Sequence, residues 1–74
     1  MLTQREHSVL SAITDWKAPY EVVAALYPNG TTKREARKVR DTLTTLRDKY
    51  LASYGSMQGT YKITDRGKAA LAGS

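Results

Sequence analysis

Phosphate binding is the first kind of chemistry that this sequence indicates, because its cationic side chains are concentrated in one stretch. Residues 31–50 hold seven lysines and arginines against three carboxylates, a net charge of +4, whereas residues 1–30 carry a net charge of −1. The whole chain of 74 residues has a formal net charge of +5 and a pI near 9.8. Cationic groups clustered in this way attract polyanions, so we expect a nucleic acid as partner.

Catalytic and metal-binding chemistry lack the residues that they need. His7 is the only histidine and the chain contains no cysteine, so we expect neither a zinc site nor a histidine-activated nucleophile. The carboxylates occur singly rather than in the pairs that general acid–base catalysis uses, and there is no glycine-rich phosphate loop. We therefore expect no enzyme activity, no metal and no cofactor, with His7 partly exposed on the first helix.

The basic stretch has the pattern of an amphipathic helix. Thr32 and Glu35 have the spacing of a capping box, and apolar residues then recur at steps of three and four. These apolar positions are Ala36, Val39, Leu43, Leu46 and Tyr50. The pattern predicts a helix over residues 33–49 with one buried side. Its opposite face carries Arg34, Arg37, Lys38, Asp41 and Thr45.

The exposed face of this helix carries side chains that suit a DNA major groove. The guanidinium groups of Arg34 and Arg37 can each bond O6 and N7 of a guanine. Asp41 can accept from a cytosine amino group or pair with Arg37 one turn away, and both roles stay open. Contacts to phosphate suit Lys33, Lys38, Arg40, Thr44 and Thr45. An ordinary solvated helix face is the alternative interpretation of the same residues.

Several further elements are predicted around the basic helix. The spacing of Thr3 and Glu6 is a second capping-box pattern, and Pro19 suits the first turn of a helix. After residue 50 the apolar period changes from helical to two, as in strands, and two glycines lie in the loop 55–59. The predicted helices cover 4–14, 19–27, 33–49 and 65–71, and the predicted strands cover 51–54 and 60–64.

The same periodicity predicts which aromatic residues are buried. Trp16 and Tyr20 continue the apolar stripes of the first two helices, so we expect them in the core. Tyr61 and Ile63 are expected to face the core from the second strand, with Thr60 and Lys62 outward. Of Tyr54 and Tyr61, one is expected in the core, and the hydroxyl of the other is free to contact phosphate.

Length and composition indicate one small domain over residues 1–74. A chain this short has no room for a binding module and a catalytic domain together. Its 41% hydrophobic and 26% charged residues are ordinary globular values. The longest apolar run, residues 22–27, is too short for a membrane span, and the N-terminus has no apolar signal-peptide region. We expect a soluble intracellular protein without a membrane partner.

The order of these elements resembles the winged helix-turn-helix family of DNA-binding proteins, and the resemblance covers residues 2–72. Its most specific part is Gly59-Thr60-Tyr61-Lys62-Ile63-Thr64-Asp65-Arg66-Gly67. This segment is similar to the end of the wing in small prokaryotic, archaeal and phage-type regulators, where a Tyr-x-Leu-Thr strand is followed two residues later by glycine. The other segments that carry the resemblance are 2–6 with 9–13, 23–26 and 39–46.

The resemblance implies a fold and an interface. It implies an α+β winged helix in which a three-helix bundle precedes a two-stranded wing and a short C-terminal helix. Helix three becomes the recognition helix, with Arg34, Arg37, Lys38 and Asp41 facing the bases. The wing tip Ser56, Met57 and Gln58 would lie over an adjacent minor groove or backbone. This tip is uncharged, unlike many wing tips in the family, and Lys62 is a phosphate contact further down the strand.

The function expected from residues and resemblance together is sequence-specific binding of double-stranded DNA. A small transcriptional regulator, in the cytoplasm of a prokaryotic cell or associated with its nucleoid as the resemblance implies, would then act by occluding a site or recruiting a partner. Because one recognition helix contacts few base pairs, a homodimer on a two-fold site is expected to provide specificity. Two alternatives stay open: a winged-helix module for protein–protein interaction or assembly, and an architectural or excisionase-like DNA-binding protein.

Overall fold

The structure, a computed structural model, describes residues 2–73 and has four helices and a two-stranded hairpin. The elements are α1 (Gln4–Ala12), α2 (Pro19–Leu26), α3 (Lys33–Asp48), β1 (Ala52–Gly55), β2 (Thr60–Ile63) and α4 (Asp65–Ala72). The α+β class and the order of three helices, a hairpin and a final helix are confirmed. Within residues 2–73, no helix has the length and apolar character that crossing a membrane requires.

Helix α1 begins at the predicted capping box and ends earlier than predicted. The Thr3 hydroxyl accepts the N–H of Glu6 at 3.1 Å, and the Glu6 carboxylate accepts the N–H of Thr3 at 2.9 Å. The helix ends at Ala12 rather than at residue 14. The carbonyl of Ile13 accepts the N–H of Ile63 at 2.8 Å, so it serves the hairpin instead of a further helical turn.

The segment between α1 and α2 pairs with the hairpin, which the sequence did not predict. Lys17 and Tyr61 exchange two backbone hydrogen bonds, of 2.9 and 2.8 Å. Trp16 therefore lies on an extended segment rather than on a helical stripe, and its side chain is 44% exposed. Tyr20, in the first turn of α2, is 72% exposed, and Val22 is the buried residue of that helix. The prediction that Trp16 and Tyr20 are in the core is wrong.

Helix α3 ends at Asp48 in a tight reversal of the chain. The N–H of Leu51 donates to the carbonyl of Leu46 at 2.9 Å, and the N–H of Tyr50 donates to that of Arg47 at 3.0 Å. This is the Schellman pattern, which needs a left-handed residue after the C-cap. Tyr50 takes that conformation, with φ 61°, and is 71% exposed. The prediction that Tyr50 extends the buried stripe is therefore wrong.

The hairpin packs its apolar face toward α3 and closes the core. Ala52 pairs with Ile63 and Tyr54 with Tyr61, so these four side chains share one face of the hairpin. Tyr61 and Ile63 are buried as predicted, while Tyr54 is partly exposed. The core consists of Val9, Leu10, Ile13, Val22, Val39, Leu43, Leu46, Ala52, Tyr61 and Ile63.

Thr64 connects the end of the hairpin to α4. Its hydroxyl accepts the N–H of Gly67 at 3.0 Å as the N-cap and donates to the carbonyl of Tyr50 at 2.8 Å. Strand β2 therefore ends at Ile63, one residue earlier than predicted. Gly67 lies against the carbonyl of Leu51, where a Cβ atom would collide. This contact explains why a glycine occurs in the first turn of α4.

Candidate nucleic-acid interface

Three buried residues fix which side of α3 faces solvent. Val39, Leu43 and Leu46 are completely buried and form one side of the helix. The residues predicted to contact DNA therefore lie on the other sides, as the apolar period requires. Seven of these residues are exposed: Lys33, Arg34, Arg37, Arg40, Asp41, Thr44 and Thr45. Lys38 is half-buried.

Four of the five cations in the first two turns of α3 have no ionic partner in the part of the chain that the structure describes. Among residues 2–73, no carboxylate oxygen lies within 4.0 Å of Lys33, Arg34, Arg37 or Arg40. They stand near the N-terminal end of the helix, where the helix dipole already disfavours positive charge. An anion at this end would be attracted by both the side chains and the helix N-terminus.

Lys38 and Asp41 differ from the predicted arrangement. The Lys38 ammonium group lies 3.9 Å from Glu35, and its side chain lines a shallow groove between α1 and α3 together with Arg5 and Thr45. Lys38 is thus at the margin of the basic face. Asp41 lines the same groove and forms no ion pair with Arg37 in the described part of the chain. Its carboxylate is available to an external donor.

The two threonines of α3 use their hydroxyl protons within the helix. The Thr44 hydroxyl donates to the backbone carbonyl of Arg40 at 3.2 Å, and the Thr45 hydroxyl donates to the backbone carbonyl of Asp41 at 3.0 Å. A hydroxyl has one proton to donate. Either threonine would have to leave its carbonyl before it could donate to a phosphate.

Glu35 connects the three helices at the N-terminal end of α3. Its backbone N–H donates to the Thr32 hydroxyl at 3.2 Å, which is the first half of the predicted capping box. Its carboxylate, however, accepts the Tyr27 hydroxyl at 3.0 Å and lies 3.7 Å from Arg5. The hydrogen bond to Glu35 raises the pKa of Tyr27. Glu35 therefore helps to hold α3 against α1 and α2, a role that the sequence did not indicate.

A second connection between α1 and α3 lies at the other end of the basic helix. The Lys49 ammonium group donates to the Glu6 carboxylate at 2.9 Å, and the Glu6 side chain is 8% exposed. The hydrogen bonds from the N–H of Thr3 and from the Lys49 ammonium group hold the pKa of Glu6 below its ordinary value, although burial opposes this shift. This pair and the Glu35 contacts together fix α3 at both ends.

Arg47 is a residue of the candidate interface that the sequence analysis missed. Its guanidinium carbon lies 5.1 Å from the centre of the Tyr54 ring, in the range of a cation–π contact. The Tyr54 ring in turn packs on Tyr61, with centroids 5.0 Å apart. Arg47 thus adds a cation where α3 meets the hairpin. No local pattern reveals this contact, because it joins a helix to the strand that follows it.

The structure does not bring Lys62 together with the cations of α3. Tyr54 and Tyr61 share the hairpin face that is turned toward Arg47. Lys62 follows Tyr61, and successive side chains of a strand point to opposite faces. Lys62 therefore points away from α3, and a phosphate contact there would belong to a separate part of the surface.

The tip of the hairpin is an exposed four-residue turn. The Gly55 carbonyl accepts the N–H of Gln58 at 3.2 Å and that of Gly59 at 2.8 Å, and Gly59 has φ 62°. Ser56 and Gln58 are exposed, and Met57 is completely exposed. The three predicted wing residues therefore stand together at the tip, without a charged side chain among them.

Histidine and acidic side chains form no metal site in the described part of the chain. His7 is exposed on α1, and residues 2–73 contain no group of three or more histidine, cysteine or acidic side chains that could hold a metal ion. Comparisons with family models, with curated proteins and with solved structures give no match to the chain.

Proposed function

We propose that this protein binds double-stranded DNA through α3 and that its fold is a winged helix. The observation that carries the proposal is the set of four exposed cations without a carboxylate within 4.0 Å among residues 2–73: Lys33, Arg34, Arg37 and Arg40. An ordinary solvated helix commonly pairs its cations with acidic residues three or four positions away. Here Glu35 is turned toward Arg5, Tyr27 and Lys38 instead.

The proposed contacts follow from the position of each side chain on α3. Arg34 and Arg37 read bases with their guanidinium groups. Asp41, one turn after Arg37, accepts a hydrogen bond from a cytosine amino group. Lys33 and Arg40 bind phosphates on one flank, and Lys38 binds a phosphate or base at the α1 side. Arg47 extends the phosphate contacts toward the hairpin. A regulator of this size would act by occluding a site or by recruiting a partner.

Paired substitutions test this assignment. We expect the double variant Arg34→Ala with Arg37→Ala to bind a random duplex at least 10-fold more weakly in fluorescence anisotropy. With two fewer cations, the protein neutralises fewer phosphates, so its binding releases fewer counterions from the DNA. The control is Arg66→Ala with Lys68→Ala, which removes the same charge from exposed positions of α4. Equal losses from both pairs would mean that net charge alone drives binding and that α3 has no special role.

Protein–protein interaction is the second candidate function, and one observation favours it. Trp16, Tyr54 and Met57 are exposed around the same shallow pocket at the wing. Aromatic and methionine side chains are enriched in protein interfaces. Such binding would respond weakly to salt, whereas DNA binding falls steeply with salt.

A further inference from the structure

An open concavity lies where the C-terminal end of α3 meets β1. The residues that line it are Arg47, Asp48, Tyr50, Ala52, Ser53 and Tyr54. Tyr50 is 71% exposed and Tyr54 is 41% exposed. Two aromatic rings therefore share this surface, which we call the α3–β1 concavity, with one cation, one carboxylate and one hydroxyl.

Two residues of the α3–β1 concavity are disfavoured by the backbone that carries them. Tyr50 has φ 61°, a conformation that glycine adopts more easily. Asp48 is the last residue of α3, where the helix dipole disfavours a carboxylate. Both side chains are exposed, so packing in the core does not explain them. Departures of this kind from local preference are typical of functional sites.

The rings and the guanidinium group are held in place before any ligand binds. The N–H of Tyr50 donates to the carbonyl of Arg47 at 3.0 Å, and the Tyr50 carbonyl accepts the Thr64 hydroxyl at 2.8 Å. The Arg47 guanidinium group lies over the Tyr54 ring, which packs on Tyr61. Binding in the concavity then orders few groups, and this reduces its entropic cost.

The lining groups match the parts of a nucleotide. Among residues 2–73, Arg47 and Asp48 form no ion pair, so both charges are available to a ligand. A guanidinium group binds phosphate, an aromatic ring stacks on a base, and a carboxylate accepts from an exocyclic amino group. In a duplex the neighbouring bases cover both faces of a base, so the ring can stack only on an unpaired base.

The α3–β1 concavity continues one cationic side of α3. Arg40 and Arg47 are both exposed and lie about two helical turns apart, roughly 10 Å along the axis, so they share this side. A strand of nucleic acid whose phosphates follow these two arginines reaches the concavity.

We propose that the α3–β1 concavity binds an unpaired nucleotide of a single-stranded nucleic acid. The base stacks on the Tyr50 ring, its exocyclic amino group donates to the Asp48 carboxylate, and its phosphate lies against Arg47. Cytosine has such an amino group, whereas thymine does not. The site therefore prefers cytosine to thymine. This activity goes beyond the proposed duplex binding by the first turns of α3 and does not depend on it.

Fluorescence anisotropy of the whole chain with labelled single strands of about eight nucleotides tests the site. Oligomers of dC and of dT form no duplex of their own at neutral pH, so they report binding to unpaired bases. We expect the dC strand to bind about 5-fold more tightly than the dT strand. An RNA oligomer of cytidine, titrated beside them, identifies which type of strand the site prefers. A wild type that binds none of these strands would overturn the proposal.

Three variants test the stacking contact. Tyr50→Ala keeps the Cβ atom and removes the ring, so we expect it to bind the dC strand at least about 5-fold more weakly. Tyr50→Phe keeps a ring and should bind as the wild type does. Tyr20→Ala is the matched control, because Tyr20 is 72% exposed and does not line the concavity. Unchanged binding by Tyr50→Ala, or an equal loss in Tyr20→Ala, would contradict stacking on Tyr50.

Asp48→Ala tests the contact to the base. The substitution removes an exposed carboxylate from the end of α3, so we expect the variant to fold normally. Loss of a negative charge should strengthen binding to both strands, but the preference for dC over dT should disappear. If the preference persists, Asp48 does not contact the base.

Binding to a blunt duplex is measured separately, so that the two proposals fail independently. Tyr50→Ala should bind this duplex as the wild type does, because it offers no unpaired base. If the wild type binds single strands but no duplex, the nucleotide site stands and the proposed function is wrong. If it binds the duplex and Tyr50→Ala binds single strands as tightly as the wild type, the proposed function stands and the nucleotide site is wrong.

Discussion

Arg37 lies on the exposed side of α3 and forms no ion pair within residues 2–73, so its guanidinium group is free to contact a base. On a DNA site obtained by selection, we expect Arg37→Ala to lose about 1–3 kcal/mol of binding free energy, the discrimination that one bidentate contact provides. Its thermal unfolding should not change. Anisotropy on the selected site measures the loss of binding, and thermal denaturation of the variant checks that its stability is unchanged.

The control for Arg37 is a substitution that keeps the charge. Arg37→Lys retains the attraction to phosphate but lacks the planar fork that binds O6 and N7 together. We expect it to keep the affinity for random DNA and to lose the preference for the selected site. If Arg37→Ala binds the selected site as tightly as the wild type, Arg37 does not read bases.

The Glu6–Lys49 pair makes stability depend on pH. The folded pKa of Glu6 lies below the ordinary value of 4.5. The carboxylate therefore stabilises the fold above about pH 4.5, and this contribution is lost as the pH falls through the folded pKa. Glu6→Gln keeps an oxygen for the N–H of Thr3 but removes the charge. At pH 7 we expect it to lower the free energy of unfolding by about 1 kcal/mol.

Urea unfolding at a series of pH values checks the Glu6 prediction. The difference between wild type and Glu6→Gln should shrink toward zero in acid, where the wild-type side chain is also neutral. Glu21→Gln is the control, because its carboxylate also accepts a backbone N–H, that of Ala18 at 2.9 Å, but forms no ion pair within residues 2–73. A difference that does not change with pH would rule out the ionic contribution.

At the scale of elements, the C-terminus of α3 contains a residue type that its backbone disfavours. Tyr50 has φ 61°, a conformation that costs a residue with a Cβ atom roughly 1–2 kcal/mol and costs glycine almost nothing. We expect Tyr50→Gly to raise the free energy of unfolding by about 0.5–1 kcal/mol, after allowing for the flexibility of glycine in the unfolded chain. Thermal or urea unfolding measures this change.

Tyr50→Ala separates the backbone effect from the loss of the ring. It removes the ring but keeps the Cβ atom, so the backbone strain should remain and stability should not rise. If Tyr50→Gly is less stable than the wild type, the exposed ring makes a contribution to the fold that outweighs the strain.

The elements themselves could be predicted from local patterns, and the contacts between them could not. The steps of three and four from Val39 to Leu46 and the capping threonines define α1, α3 and their buried faces within a few residues. The pairing of Lys17 with Tyr61 joins segments 44 positions apart in the chain, so no local period reveals it. The helical period wrongly places Trp16 in the core, because it continues into a segment that pairs as a strand.

Only part of the candidate interface could be predicted from the sequence. The exposure of Arg34, Arg37 and Arg40 follows from the helical period alone. Lys38 lies at the margin of the basic face because its ammonium group is close to Glu35. Lys62 is separated from α3 because the other face of the hairpin packs inward. Both facts arise from tertiary packing.

For the molecule as a whole, charge and apolar surface are separated. Most of the exposed cations lie on α3, whereas the exposed side chains of Trp16, Tyr54 and Met57 lie around the hairpin turn. The described chain measures 30 × 29 × 18 Å, so one copy covers only a short length of duplex. Specific recognition by such a small molecule would depend on a second copy or on a partner protein.

The salt dependence of DNA binding tests the central claim most directly. On a random duplex, where Arg34 and Arg37 have no specific base to read, we expect the four cations of α3 without an ion pair among residues 2–73 each to neutralise one phosphate. Log affinity should then fall against log salt with a slope of about −3.6. Anisotropy with a labelled random duplex should then show about 150-fold weaker binding at ~200 mM salt than at ~50 mM. No binding at the lower salt, or an affinity that salt does not change, would contradict DNA binding by α3.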